Sequence, residues 1–264
     1  MGNMTEVNKT LYIPLYGKSL VSKQHIILDD PDAERILRNE TVAFRRKSKS
    51  KWLAYNMAMR ARVFDDWTDN MLQQNEDSVV LHIGCGLDSR CHRIQQQYRE
   101  WIDCDLPEVI SLRRQYYQET DCYHMLELDA SDPDQIAGLP GSGTAIIVLE
   151  GLSMYLTGDQ LNGFFRAVQD KYRKVHILMD IYTVLGAKAS KYRNPVNDVG
   201  VTELHGIDDI GSVLSGLDIH MIAEHSFTPA YLVNELKPAD RIIFRILFTG
   251  RLYSRIYRLI ELGS

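Results

Sequence analysis

The stretch Val79-Val80-Leu81-His82-Ile83-Gly84-Cys85-Gly86-Leu87-Asp88-Ser89-Arg90 constrains this chain more than any other. A short apolar run that ends in two glycines and passes into a helix-like segment reads as strand, tight turn and helix start. Gly84 and Gly86 let the backbone approach a ligand where a Cβ would collide, and the first turn of the next helix offers unpaired N–H groups there. A strand followed by glycines is also an ordinary βα turn, so its meaning depends on what stands around it.

Downstream, strands and helices alternate, as a parallel α/β sheet requires. Strands are predicted at 79–83, 100–104, 122–128, 144–149, 174–181 and 220–225, with a last one at 256–262. Helices are predicted at 89–98, 107–119, 133–137, 157–172 and 207–214. The helix at 157–172 carries a full signature: Thr157 and Gln160 make a capping box, and Leu161, Phe164, Phe165, Val168 and Tyr172 share a face.

Upstream, residues 1–50 are polar and irregular apart from a short helix at 31–38, and the run Arg45, Arg46, Lys47, Lys49, Lys51 reads as a solvated loop. Residues 51–74 form a long helix in which Trp52, Tyr55, Met59, Val63 and Trp67 recur at three- and four-residue steps. Arg60 and Arg62 point about 200° apart on it, so at most one faces a given pocket. Residues 183–205 lack periodicity and read as a loop or inserted lid. Residues 238–253 read as a basic amphipathic helix, placed as a lid or core edge rather than on a membrane because the chain is acidic overall. The expected division is a helical lid or extension over 1–75 and a main domain over 76–264, with lid insertions near 183–206 and 229–253.

A net charge of -5 on 264 residues argues against a general nucleic-acid binder, which needs a basic face. Neither a signal-peptide core nor an apolar run of about 20 residues is present, so a cytoplasmic protein without a membrane partner is expected. Cys85, Cys91, Cys104 and Cys122 have no metal-ligand spacing; reduced thiols and no bound metal are expected.

In an open α/β sheet, ligands bind at the carboxyl ends of the strands. Here the second strand runs into Asp105, 21 residues after Gly84, the third into Asp129-Ala130 and the fourth into Glu150-Gly151. Any one such acid could be a helix N-cap; together they mark a ligand-binding edge. The glycine pattern has Ser89 in place of the third glycine of a dinucleotide site, which disfavours a nicotinamide-dependent oxidoreductase. Clustered acids repel a pyrophosphate but suit a cation that carries ribose and adenine, as S-adenosylmethionine does.

Four segments carry a resemblance: Gly86-Leu-Asp88-Ser-Arg90, Asp103-Cys-Asp105-Leu-Pro107, Glu150-Gly-Leu-Ser-Met-Tyr155-Leu, and Arg60-Ala-Arg62-Val-Phe-Asp65-Asp66. In this order they resemble the leucine carboxyl methyltransferase family, and within it the bacterial branch that includes tetracenomycin-type polyketide O-methyltransferases. Asp88, where ordinary class I methyltransferases have glycine, is a mark of that family. The resemblance implies a Rossmann-like class I fold: a seven-strand, mostly parallel sheet with an antiparallel last strand, helices on both faces and an N-terminal helical lid. It implies S-adenosyl-L-methionine as cofactor. Arg60 would pair with the methionine carboxylate, with Arg62 the less expected contact. Gly84 and Gly86 would line the methionine and ribose region, Asp105 would take the ribose diol, Asp129 and Ala130 the adenine, and Glu150 would stand near the methionine end.

The implied reaction is O-methylation of a carboxylate or hydroxyl on a small, polyketide-like molecule. Alternatives are a protein C-terminal carboxyl methyltransferase and a non-catalytic, cofactor-binding regulatory protein. A carboxylate acceptor is already ionised near neutral pH, whereas a phenol calls for a base. Tyr155 and His205 are the candidates for placing the acceptor. The sequence fixes neither the acceptor nor the oligomeric state.

Overall fold

The computed structural model describes residues 11–39, 50–193 and 204–264. One sheet organises them: β1 (Val79–Ile83), β2 (Glu100–Asp105), β3 (Tyr123–Glu127), β4 (Thr144–Leu149), β5 (Lys174–Tyr182), β6 (His220–His225) and β7 (Tyr257–Gly263), in the order β3-β2-β1-β4-β5-β7-β6. β7 runs antiparallel to both β5 and β6, and the other neighbours pair in parallel. The expected seven-strand sheet with an antiparallel last strand is the observed one.

β1 and β4 are apolar along nearly their whole length because helices cover both faces. Successive residues of β1 feed two cores: Val80 joins the cluster under the long N-terminal helix, while Val79, Leu81 and Ile83 join the opposite one. From β1 the chain crosses over toward β2 and from β4 toward β5, so the two connections leave in opposite directions and open a crevice at the strands' carboxyl ends. That crevice brings the glycine turn after β1 beside Glu150 after β4.

The helices are α1 (Tyr12–Ser22), α2 (Pro31–Asn39), α3 (Lys51–Gln74), α4 (Arg90–Arg93), α5 (Pro107–Arg113), α6 (Pro133–Ala137), α7 (Gly158–Lys171), α8 (Val184–Arg193), α9 (Ile210–Val213), α10 (Ala230–Val233), α11 (Pro238–Phe248) and α12 (Arg251–Ser254). α1 occupies a stretch expected to be irregular. Pro14 and Gly17 argue against a helix there, yet Pro14 stands in the first turn, where its missing N–H has no intrahelical partner to lose. Gly17 is what lets α1 lie close on α3: a Cβ there would come within 3.1 Å of the Ala54 Cα.

Three predicted helices are shorter than expected. The one at 89–98 is only α4, because Ile94 turns extended and the N–H groups of Gln95 and Gln96 donate to the Asp69 carboxylate on α3, at 2.9 and 3.0 Å. The one at 107–119 ends at Arg113, whose side chain is drawn into the core. The one at 207–214 is α9, capped by the Asp209 carboxylate on the Gly211 N–H. The helix expected over 238–253 breaks into α11 and α12 at Gly250, which has φ +82°. α8 forms within 183–205, and residues 194–203 and the basic residues Arg45 to Lys49 lie outside the described residues.

The capping box on α7 is as predicted. Gln160 N donates to Thr157 Oγ1 at 3.2 Å and Thr157 N to Gln160 Oε1 at 2.8 Å. Thr157→Ala should therefore cost about 1 kcal/mol in urea unfolding; an unchanged midpoint would mean that the helix gains nothing from its cap.

Candidate active site

The glycine turn is built by its neighbours. Gly84 and Gly86 have φ of +70° and +55°, and a Cβ on Gly84 would press on the Leu152 side chain from 3.1 Å. The N–H groups of Gly84 and Cys85 both donate to the Cys104 carbonyl, while Gly86 N donates to Asp105 Oδ2 at 2.7 Å. Leu106 N donates to Oδ1 of the same carboxylate at 2.8 Å. Burial pushes the Asp105 carboxyl up to about 6, against the pull of these two N–H donors. Arg113 supports the turn from behind by donating to the Gly86 carbonyl at 3.0 Å. Cys85 is buried, and burial raises its thiol well above the ordinary range, which leaves it no thiolate at neutral pH.

Beside the turn lies a buried network of charge. Arg60, 5% exposed, reaches from α3 to the ends of β4 and β5. Its Nε donates to Glu150 at 2.9 Å, and its Nη1 donates to Asp180 at 3.0 Å and to the Tyr257 hydroxyl at 2.6 Å. The Tyr257 hydroxyl in turn donates to Asp180, whose other oxygen accepts the Gly151 N–H at 2.7 Å. Arg90 joins Glu150 to Asp65 and donates to His82 Nε2 at 3.1 Å. Arg93 contacts Asp65, Asp30 and Asp88, and Lys18 of α1 pairs with Asp88.

Taking so many charges out of water is tolerable only because each has an opposite partner within hydrogen-bond reach. Burial alone pushes the Glu150 carboxyl up, but Arg60 and Arg90 outweigh it and bring it down to about 2. Burial likewise raises Asp88, and Arg93, Lys18 and Arg90 drive it well below the carboxylate range. His82 is not a base. Since Nε2 accepts from Arg90, the ring proton belongs on Nδ1, facing Asp103 at 3.1 Å, and burial lowers its pKa further. Arg62 turns away to pair with Asp66 at 2.7 Å and is 39% exposed, as the spacing on the helix requires.

A pocket opens at this edge. Among the predicted site residues, Arg60, Gly84, Gly86, Glu150 and Tyr155 line it. Asp105 stands behind the wall and touches the site through Gly86. Asp129 is exposed just beyond β3, its Oδ1 accepting from Ser131 N and Oγ, and Ala130 next to it is buried. His205 is tied to the turn after β4 by its N–H, which donates to the Met154 carbonyl at 2.8 Å; its neighbour Leu204 forms the wall.

Sequence reasoning missed Lys18, His82, Tyr182 and Tyr257, which also line the pocket, and Asp180, which braces Arg60 and Gly151. α1 and the residue that precedes it close one side with Leu11, Ile13, Pro14 and Leu15. Among the described residues no group of His, Cys, Asp or Glu is placed to hold a metal, and no helix is long and apolar enough to cross a membrane.

The leucine carboxyl methyltransferase family model matches residues 11–169. The tetracenomycin polyketide synthesis O-methyltransferase TcmP of Streptomyces glaucescens is 32% identical over 214 residues, 80% of this chain and 79% of that protein. An S-adenosyl-L-methionine-dependent methyltransferase of Gibberella zeae, dpfgK, is 29% identical over 187 residues, 64% of this chain and 63% of its own length. Among solved structures, a candidate methyltransferase of Thermobifida fusca aligns with a TM-score of 0.64 at 16% identity, over 97% of this chain and 93% of that one. The magnesium protoporphyrin IX methyltransferase of Synechocystis, with bound SAH, aligns at 0.52 and 13% identity, over 89% and 93%. These two structural likenesses concern the fold.

Proposed function

The chain belongs to the leucine carboxyl methyltransferase family and is an S-adenosylmethionine-dependent methyltransferase, and we propose that its acceptor is an oxygen, carboxylate or hydroxyl, on a small and largely apolar molecule. The observation that carries this reading is the mixed lining of the pocket: the charged side chains of Arg60, Lys18, Glu150 and Asp88 share it with the apolar side chains of Leu11, Ile13, Leu15, Leu53, Met57 and Met154.

The charged side chains fit the cofactor's amino-acid moiety. Arg60 and Lys18 are the cations for its carboxylate, Glu150 and Asp88 the carboxylates for its ammonium group, and the open backbone at Gly84 and Gly86 lets the chain pass close. Asp105 is assigned to the ribose diol, and Asp129 with Ala130 to the adenine, farther along the strand edge. Bound there, S-adenosylmethionine supplies a methyl group on a sulfonium sulfur, open to in-line displacement. The protein's part is alignment and exclusion of water, worth up to roughly 10⁵–10⁸ M in effective molarity.

The domain reading follows from the same walls. Residues 1–75 act as the helical lid, with α1 as the piece that covers the pocket, and 76–264 as the catalytic domain. Cofactor should then protect α1 from proteolysis; equal cleavage with and without it would remove this role. Tyr155 is the wall residue assigned to placing the acceptor oxygen, and His205 supports it from the adjoining segment.

The acceptor reading is tested with methyl-labelled cofactor and a panel of aromatic carboxylic acids and phenols. Base-labile product means an ester, base-stable product an ether. Tight cofactor binding with no transfer to any member, but with label entering protein, would overturn the small-molecule reading. Lys18→Met should weaken cofactor binding about tenfold, the loss of one charge-assisted hydrogen bond, measured by calorimetry; unchanged affinity would remove Lys18 from the carboxylate site.

A further inference from the structure

α11 is apolar on two sides. Its inner side is explained: Phe244 is fully buried against the Tyr55 ring at 6.3 Å, and Phe248 stacks on Trp52 at 6.4 Å, fixing the helix to the first turns of α3. Its outer side is not. Ile242, Ile243, Ile246 and Leu247 recur at one- and three-residue steps and are 62%, 42%, 73% and 59% exposed. Together they present about 450 Å² of aliphatic surface, within the range at which the largest patch on a monomer is often functional.

The charges around this stripe are mostly positive. Lys237 and Arg245 are exposed, and Arg241 is half-buried beside them. Among the described residues neither arginine is paired with a carboxylate: Arg241 donates to the carbonyls of Asn234 and Leu236, and Arg245 to Asn234 Oδ1 at 2.8 Å, while Lys237 lies close enough to Asp240 to help hold its carboxyl down. The nearby acids are already engaged. Asp240 accepts from Lys51 at 2.7 Å and from the Tyr55 hydroxyl at 3.0 Å, and Glu235 accepts the Ile27 N–H.

We propose that the outer face of α11 docks on an anionic lipid surface, inserting Ile242, Ile243, Ile246 and Leu247 among the headgroups while Lys237 and Arg245 meet their phosphates. An aliphatic stripe flanked by cations is the composition of an interfacial helix. A second copy of the chain fits less well. It would set one largely cationic rim against another, and the stripe alone buries about 900 Å² from both partners, short of the roughly 1,200 Å² of the smallest standard interfaces. The overall acidity that argued against a membrane in the sequence does not bear on this helix, because surface attraction is local to about one Debye length, ~8 Å at physiological salt.

The test is co-sedimentation of the full chain with vesicles of phosphatidylcholine alone and of phosphatidylcholine with phosphatidylglycerol. Binding to the anionic vesicles is expected, weakened at least tenfold in the double variant Ile242→Glu/Ile246→Glu and weakened by added salt, with S-adenosylmethionine affinity the same in both proteins. No binding to anionic vesicles, or equal binding by the double variant, overturns the proposal. So does a light-scattering mass of two chains that falls to one in the variant, which would give the face to a second copy. A large fall in the variant's melting temperature without vesicle binding would give it to the chain's own packing, again overturning the proposal.

Discussion

Arg60→Met should unfold at a temperature lower by roughly 6–12 °C and should lose S-adenosylmethionine affinity by more than about a hundredfold. The stability loss comes from what the substitution leaves behind. Removing one member of a buried ion pair typically costs about 3–5 kcal/mol because the remaining charge has no compensation. Here Glu150 keeps Arg90, and Asp180 keeps the Tyr257 hydroxyl and the Gly151 N–H, so the cost should fall near 3 kcal/mol, at the lower end of that range. Arg62→Met, two residues away on the same helix, removes only a partly exposed pair with Asp66 and should shift stability by less than about 0.5 kcal/mol.

The pair of variants is informative because helix geometry alone separates them. Equal, small shifts in both would mean that the Arg60 network is solvated. The stability of the variant should also depend less steeply on pH on the acid side. The Glu150 carboxyl is held at about 2, below its ordinary 4.5, so its contribution to stability is present above about pH 4.5 and is lost as pH falls toward 2. Without Arg60 that depression shrinks, and the acid limb of the stability curve should lose part of its slope as well as its height.

The framework of this fold was legible because its rules are local. Largely apolar runs of five and six residues between glycine, aspartate and proline punctuation gave β1 and β4 to the residue, and the capping box gave α7. The position of the strand-end acids was legible for the same reason: a parallel sheet brings the carboxyl ends of its strands to one edge. What was not legible depends on pairs far apart in the chain. Tyr257 and Asp180 meet across 77 residues, through the antiparallel register of β5 and β7, and each taken singly reads as part of a strand. Arg90 and Arg93 look like the solvated side of a ten-residue helix; the helix is four residues long, and both side chains turn inward to Asp65. Lys18 was hidden because Pro14 and Gly17 mask α1, and only the close approach to Ala54 explains Gly17. Asp105 was legible as an acid at the right distance, but its grip on the turn it serves was not.

That grip gives the last expected result, a cofactor affinity that depends on pH through one carboxylate. Burial raises Asp105 to about 6 from an ordinary 3.8, so the folded protein takes up this proton more readily than the unfolded chain. Its contribution to stability is therefore fully present below about pH 4 and is lost as pH rises through 6. Binding should run the other way. A ribose diol donates its hydroxyl hydrogens, and the ionised carboxylate is the form that accepts them while still holding the Gly86 and Leu106 N–H groups. Affinity for S-adenosylhomocysteine should then be level above pH 6 and fall about tenfold for each pH unit below it. Glu150 at about 2 and Asp88, also well depressed, stay ionised throughout that window and do not supply the same slope, while burial and Arg90 oppose a second proton on His82. Asp105→Asn should bind weakly with no slope, and Asp105→Ala should lose at least a hundredfold, its melting curve showing whether the turn survives. Calorimetric titration between about pH 5 and 8 on the three proteins decides it. A slope retained in Asp105→Asn would assign the proton to another group, and full affinity in Asp105→Ala would remove Asp105 from the cofactor site and leave it only the role of bracing the glycine turn.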